Sequence, residues 1–106
     1  MNNFKNAGVS VGTSRTTLYT CPAATQVIIN ALYVSNIDGT NDADVSIEVT
    51  VDGGTTYFHV GKTIPVPADA TLLLDKPINL EAGDIIALTA SSAGDLEVFA
   101  SVLEIS

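Results

Sequence analysis

Few side chains in this sequence are of a kind that does chemistry, and their spacing limits what each can do. The single histidine, His59, lies in the run Tyr57-Phe58-His59-Val60. A hydrolytic triad needs a nucleophile and a carboxylate gathered around such an imidazole. Zinc needs more His or Cys ligands than this chain offers. His59 therefore reads as a strand-surface histidine. The single cysteine, Cys21, precedes Pro22. A reactive thiolate needs a cation or a helix N-terminus beside it. The nearest basic residue in sequence is Arg15 and no helix is predicted, so Cys21 reads as a small apolar residue at a sheet rim.

Oxygen ligands are densest in Asp38-Gly39-Thr40-Asn41-Asp42-Ala43-Asp44. Calcium takes about six to eight oxygens, and Asp38, Asp42 and Asp44 are the weak candidate ligands. The spacing departs from the EF-hand pattern, because Thr40 stands two residues after Asp38 and no glutamate closes the loop. The plainer reading is a polar connection; a cation site here would need a neighbouring subunit to complete its shell. Asp84 and Asp95 each follow a glycine. Paired carboxylates hydrolyse glycosides at suitable separations, but turn propensity alone accounts for both. There is no glycine-rich phosphate loop, no Gly-x-Ser-x-Gly elbow and no tryptophan, so any stacking platform rests on Tyr19, Tyr33 and Tyr57. No catalytic residue, metal site or cofactor is assigned, and an enzyme is not expected.

Composition narrows the partners. With 106 residues, 46% hydrophobic and 15% charged, the chain reads as one folded domain with a single core. Its formal charge is −8, and Lys5, Arg15, Lys62 and Lys76 do not cluster. Binding to nucleic acid or to an anionic bilayer needs grouped cations, so neither is expected. One cysteine allows no internal disulfide, and no apolar run has the length of a signal peptide or a membrane span. Synthesis in a reducing cytoplasm is the expectation. So few charges leave part of the surface free to be covered by other subunits.

The elements that would carry these residues are strands. Thr, Val and Ile dominate and no helical period is sustained. Residues 45–51 alternate: Val45, Ile47, Val49 and Val51 on one side, Ser46, Glu48 and Thr50 on the other. Asp52-Gly53-Gly54 follows, and residues 55–60 resume, which predicts a hairpin. Further strands are expected at 16–20, 26–37, 71–74, 84–90 and 96–105. The loop 38–42 is expected to close a second hairpin between 26–37 and the 45–51 strand. Pro65 and Pro67 predict an edge or a crossover between sheets. Residues 1–14 read as an N-terminal arm and 15–106 as the domain. Seven or eight short strands with regular turns predict an all-β antiparallel sandwich, either a jelly roll or an Ig-like Greek key, with a barrel of the same strand count as the alternative.

Two strands are apolar on both parities. In 26–37, Val27 and Ile29 compete with Ile28, Leu32 and Val34; in 96–105, Phe99 and Leu103 oppose Leu96, Val98 and Val102. Either a bulge re-aims these residues inward or they form an interface. The interface candidates are Phe4, Val9, Val11, Val27, Ile29, Phe99 and Leu103.

The order of local motifs is familiar. Thr16-Thr17-Leu18-Tyr19-Thr20 ends in Pro22-Ala23; Ala31-Leu32-Tyr33-Val34-Ser35-Asn36 leads to an Asp-Gly turn; Pro65-Val66-Pro67-Ala68 and Leu80-Glu81-Ala82-Gly83-Asp84 follow; Ala100-Ser101-Val102-Leu103-Glu104-Ile105-Ser106 closes the chain. Over nearly its whole length the sequence resembles the small structural proteins of tailed-phage virions, of the head-decoration (cement) type. That resemblance implies a part present in many copies on the capsid surface, made in the host bacterial cytoplasm. Its partners would be the major capsid protein and its own copies, as a homotrimer. The family carries no catalytic residues to transfer. A tail or connector component, or a module binding a host receptor through loops 38–44 and 91–95, is the alternative.

Overall fold

A computed structural model describes residues 2–106. The described residues form nine strands and no helix: β1 (Asn2–Val11), β2 (Thr16–Thr20), β3 (Gln26–Asn36), β4 (Ala43–Thr50), β5 (Tyr57–Val66), β6 (Thr71–Leu74), β7 (Ile78–Leu80), β8 (Ile85–Ala90) and β9 (Leu96–Ile105). They make two antiparallel sheets. The first runs β1-β9-β3-β6, with β7 also on β3; the second runs β2-β8-β4-β5. Successive strands change sheet at almost every connection, so strands near in sequence end up facing each other across the core. That connectivity is a jelly roll, which decides between the two topologies left open above.

The core is the inward parity of both sheets. Leu32, Val34, Leu96, Val98, Ala100 and Val102 of the first sheet meet Val45, Ile47, Ile86 and Leu88 of the second, all buried. In β9 the alternation is strict, with Leu96, Val98, Ala100 and Val102 inside and Glu97, Phe99 and Ser101 outside. In β3 the parity changes. Val27 and Ile29 are buried before the register shift between Ile29 and Ala31; Leu32, Val34 and Asn36 are buried after it. One extra residue, Asn30, bulges out and re-aims the strand.

Several expectations are corrected here. Val27 and Ile29 are core residues, not interface residues, because of that bulge. Val11 is likewise fully buried, and Val9 packs against the core. The expected arm is a strand: β1 pairs with β9 without a break from Asn2↔Ile105 to Val11↔Leu96. Met1 lies outside the described residues. Polar side chains concealed this strand, since only Ala7, Val9 and Val11 of β1 lean inward. The segments flanking loop 38–42 do not form a hairpin, because β3 and β4 belong to different sheets. Asn36 secures that crossover: its buried side-chain amide donates to the carbonyls of Asn41 (3.0 Å) and Val66 (2.9 Å) and its Oδ1 accepts from the Asp38 N–H (2.9 Å). The hairpin across Asp52-Gly53-Gly54 does form, between β4 and β5. Its connection is longer than a two-residue turn. Asp52 Oδ1 accepts from the N–H groups of Thr55 and Thr56, and both Gly53 and Gly54 have positive φ. Val51 falls in that loop and is exposed.

Candidate functional site

The residues singled out for chemistry are dispersed, and most are committed to holding loops. Cys21 is buried, with Sγ 3.3 Å from the carbonyl of Thr25. Burial, then the nearby Asp84 and Glu104 carboxylates, push its thiol above the ordinary range. Asp84 accepts from the Glu81 N–H at 2.9 Å, closing the turn into β8. Asp95 lies beyond the opposite end of β8. A six-residue strand separates the two, roughly 20 Å at about 3.3 Å per residue, too far for a carboxylate pair to act on one glycosidic bond. Asp38 accepts from the N–H groups of Thr40 (2.8 Å) and Asn41 (3.2 Å) and from the Asn41 amide. Those bonds hold its carboxyl below the ordinary range. Asp42 accepts from the Ala68 N–H, and Asp44 is tied through its backbone to Ser91. Among the described residues no three His, Cys, Asp or Glu side chains converge on a point where a metal could sit.

Among the described residues, the charged cluster with built geometry is on the outer face of the second sheet. Glu48 sits in the outward parity of β4, opposite His59 of β5. Arg15 reaches it from the β1–β2 connection. Its Nε donates to Oε1 at 3.2 Å and an Nη to Oε2 at 3.0 Å, a two-pronged pair. The guanidinium also lies 3.6 Å from the centroid of the Tyr57 ring. His59 Nε2 stands 3.5 Å from Glu48 Oε2. Covered by these neighbours, the Glu48 side chain is only 8% exposed. The Arg15 hydrogen bonds hold its carboxyl below the ordinary range, against the opposing effect of burial. The cluster fastens the β1–β2 connection to the β4–β5 hairpin.

The outer face of the first sheet is built differently. Cross-strand register lines up Gly8, Phe99, Tyr33 and Leu73 in one row, and Phe4, Leu103 and Ile28 in another. Phe4 is 82% exposed, and Leu73, Phe99 and Tyr33 are 50%, 47% and 40% exposed. Of the sequence-derived interface candidates, Phe4, Phe99 and Leu103 are thus on one face, joined by Tyr33 and Leu73, which the sequence reading missed. A shallow groove of about 400 Å³, lined by Gly8, Ser10, Ser35, Glu97 and Phe99, runs along it.

No protein-family model matches this chain, and no curated protein matches its sequence. Solved structures do match in fold. A chain of the Bacillus endospore appendages, described as disulfide-linked pili, aligns with a TM-score of 0.63 at 14% identity, over 100% of this chain and 87% of that one. A chain of the capsid of Helicobacter pylori bacteriophage KHP30 aligns at 0.54 and 12% identity, over 99% and 93%. A chain of infectious bursal disease virus, Gx strain, aligns at 0.56 and 11% identity, over 98% of this chain and 32% of that one. At such identities the likeness is one of fold.

Proposed function

We propose that this chain is a non-enzymatic structural protein of a bacteriophage virion, a capsid decoration (cement) protein that binds the outer head and stabilises the lattice. The observation that carries the reading is the outer face of the β1-β9-β3-β6 sheet. Phe4, Tyr33, Leu73 and Phe99 are exposed there, on a domain whose inward parity already fills a core. Exposed apolar side chains grouped in rows on one face of a small folded domain mark an interaction surface. The sequence resemblance to tailed-phage virion proteins points the same way. So does a fold found in capsid chains, although the endospore appendage shares it. In this reading the patch meets the major capsid protein, and the chain's own copies gather as a homotrimer. Many weak contacts repeated by symmetry give high avidity without a large interface per copy.

The test is to add purified protein to capsids that lack it and to count copies by cryo-EM. Decoration expects lattice-wide, near-stoichiometric occupancy and capsids more resistant to heat. A few copies at one vertex would instead indicate a tail, connector or receptor-binding part.

A further inference from the structure

The four sheet edges of this sandwich are not alike. At one edge of the second sheet, β5 carries Pro65, register shifts against β4 and a positive φ at Thr63. At the other, β2 has five residues and a register shift between Thr17 and Tyr19. The far edge of the first sheet is made of β6 and β7, four and three residues long, interrupted by Asp75-Lys76-Pro77. Short, bulged or proline-bearing edges resist pairing with another strand. β1 has none of these devices. It is ten residues long and free of proline, its ladder to β9 has no shift, and Lys5 is its only charge. Half of its backbone N–H and C=O groups point away from β9, as antiparallel geometry requires.

We propose that β1 pairs antiparallel with β1 of a second copy, about a two-fold axis through Asn6, to make one continuous sheet. The occupant follows from β1 itself. Under a two-fold axis normal to the sheet, facing residues share a parity, so their numbers sum to an even value. A sum of 10 sets Lys5 against Lys5 of the second copy, a repulsive pair. A sum of 14 sets Phe4 against Ser10 and Lys5 against Val9. A sum of 12 sets Phe4 against Gly8, Lys5 against Ala7 and Asn6 against itself, and uses residues 2–10 of both strands. In that register the exposed Phe4 ring of each copy lies over the other's Gly8, in the groove that Gly8 and Phe99 line. An aromatic side chain covering a cross-strand glycine is a known stabilising pair. The apolar row Gly8, Phe99, Tyr33, Leu73 then continues into the second copy. The pairing does not depend on the virion reading and should form in solution; within a lattice of trimers it would join neighbouring trimers.

Single cysteines placed at positions 4, 5, 6, 7 and 8 of the full chain test it, since Cys21 is buried. Opposed Cα atoms in an antiparallel pair are about 4.5–5.5 Å apart, within disulfide reach. Asn6→Cys should therefore cross-link under mild oxidation, at least about tenfold more than Phe4→Cys, whose partner lies about 13 Å along the strand. Sedimentation should show two-fold association, a dimer of single chains or a pairing of trimers, that Gly8→Val weakens. A Cβ at Gly8 makes only ordinary contacts, 3.5 Å from Phe99 Cδ1 and from the Val98 carbonyl oxygen, and thermal unfolding of this variant checks that the fold is kept. A monomer with flat cross-linking across the five positions overturns the proposal. So does an association indifferent to Gly8→Val, or protection of the β1 amides that appears only when capsids are added.

Discussion

The two outer faces of the sandwich occupy equivalent positions in the fold but differ in chemistry. On the second sheet, Glu48 is matched by Arg15 and flanked by Tyr57 and His59. Beside it, Thr50 and Asp52 hold the hairpin loop. On the first sheet, Phe4, Tyr33, Leu73 and Phe99 stand in rows without comparable partners. A face whose polar groups satisfy one another contributes to the stability of the single chain. A face of exposed aromatic and aliphatic side chains contributes little until something covers it. The difference is visible only with the bulge at Asn30 in place, because that residue decides which apolar side chains of β3 count as core.

Substitutions should separate these cases. Ile29→Ala should destabilise the chain by about 2–5 kcal/mol in urea unfolding, the range for truncating a fully buried aliphatic residue. A loss of no more than about 0.5 kcal/mol, as for a surface residue, would return Ile29 to the interface. Glu48→Ala should cost less, about 1–2 kcal/mol, because it strands a half-exposed guanidinium on Tyr57 while water replaces part of the lost pair. Equal stability to the parent would mean that the cluster does not brace the second sheet. The effect of Glu48 should also depend on pH. Its folded pKa lies below the ordinary 4.5, so its stabilisation is fully present above about that pH and is lost as pH falls through the lower folded value. Melting curves of the parent and Glu48→Gln should converge in that acidic window; a constant gap would point to a packing effect. Smallest of all, Phe4→Ser, at the most exposed apolar side chain of the first face, should change stability by only about 0.5 kcal/mol, while weakening association with capsids in the decoration assay. A large stability loss would make the first face structural.

The strands at 16–20, 71–74 and 96–105 were legible from alternation and turn residues, as was the hairpin across Asp52-Gly53-Gly54. Each depends on signals within a dozen residues. β7 was not, because three residues after Pro77 are too few to show a period. β1 reads as an arm in the sequence because its exposed residues, from Asn2 to Asn6, are polar apart from Phe4. Strand order was also hidden, since pairing β1 with β9 joins the two ends of the chain. Within the charged cluster, Glu48 and His59 could have been placed together by counting outward from the hairpin glycines. Arg15 could not, for it arrives from the β1–β2 connection, 33 residues away from Glu48 in sequence. Phe4 and Phe99 were found by their excess of apolar character; Tyr33 needed the corrected register of β3.

Asn30 has one more consequence. β3 pairs through Val27–Ile29 with β7 and through Leu32–Ser35 with β6, with the bulge between the two halves. The strand thus works as two half-strands in opposite phase, joined by a one-residue phase shifter. Losing that residue would barely shorten the chain. It would invert one half, turning either Val27 and Ile29 or Leu32 and Val34 out into water. Substitutions at position 30 should therefore be tolerated far better than its deletion, and natural length variation in this fold should fall in the loops and spare this strand.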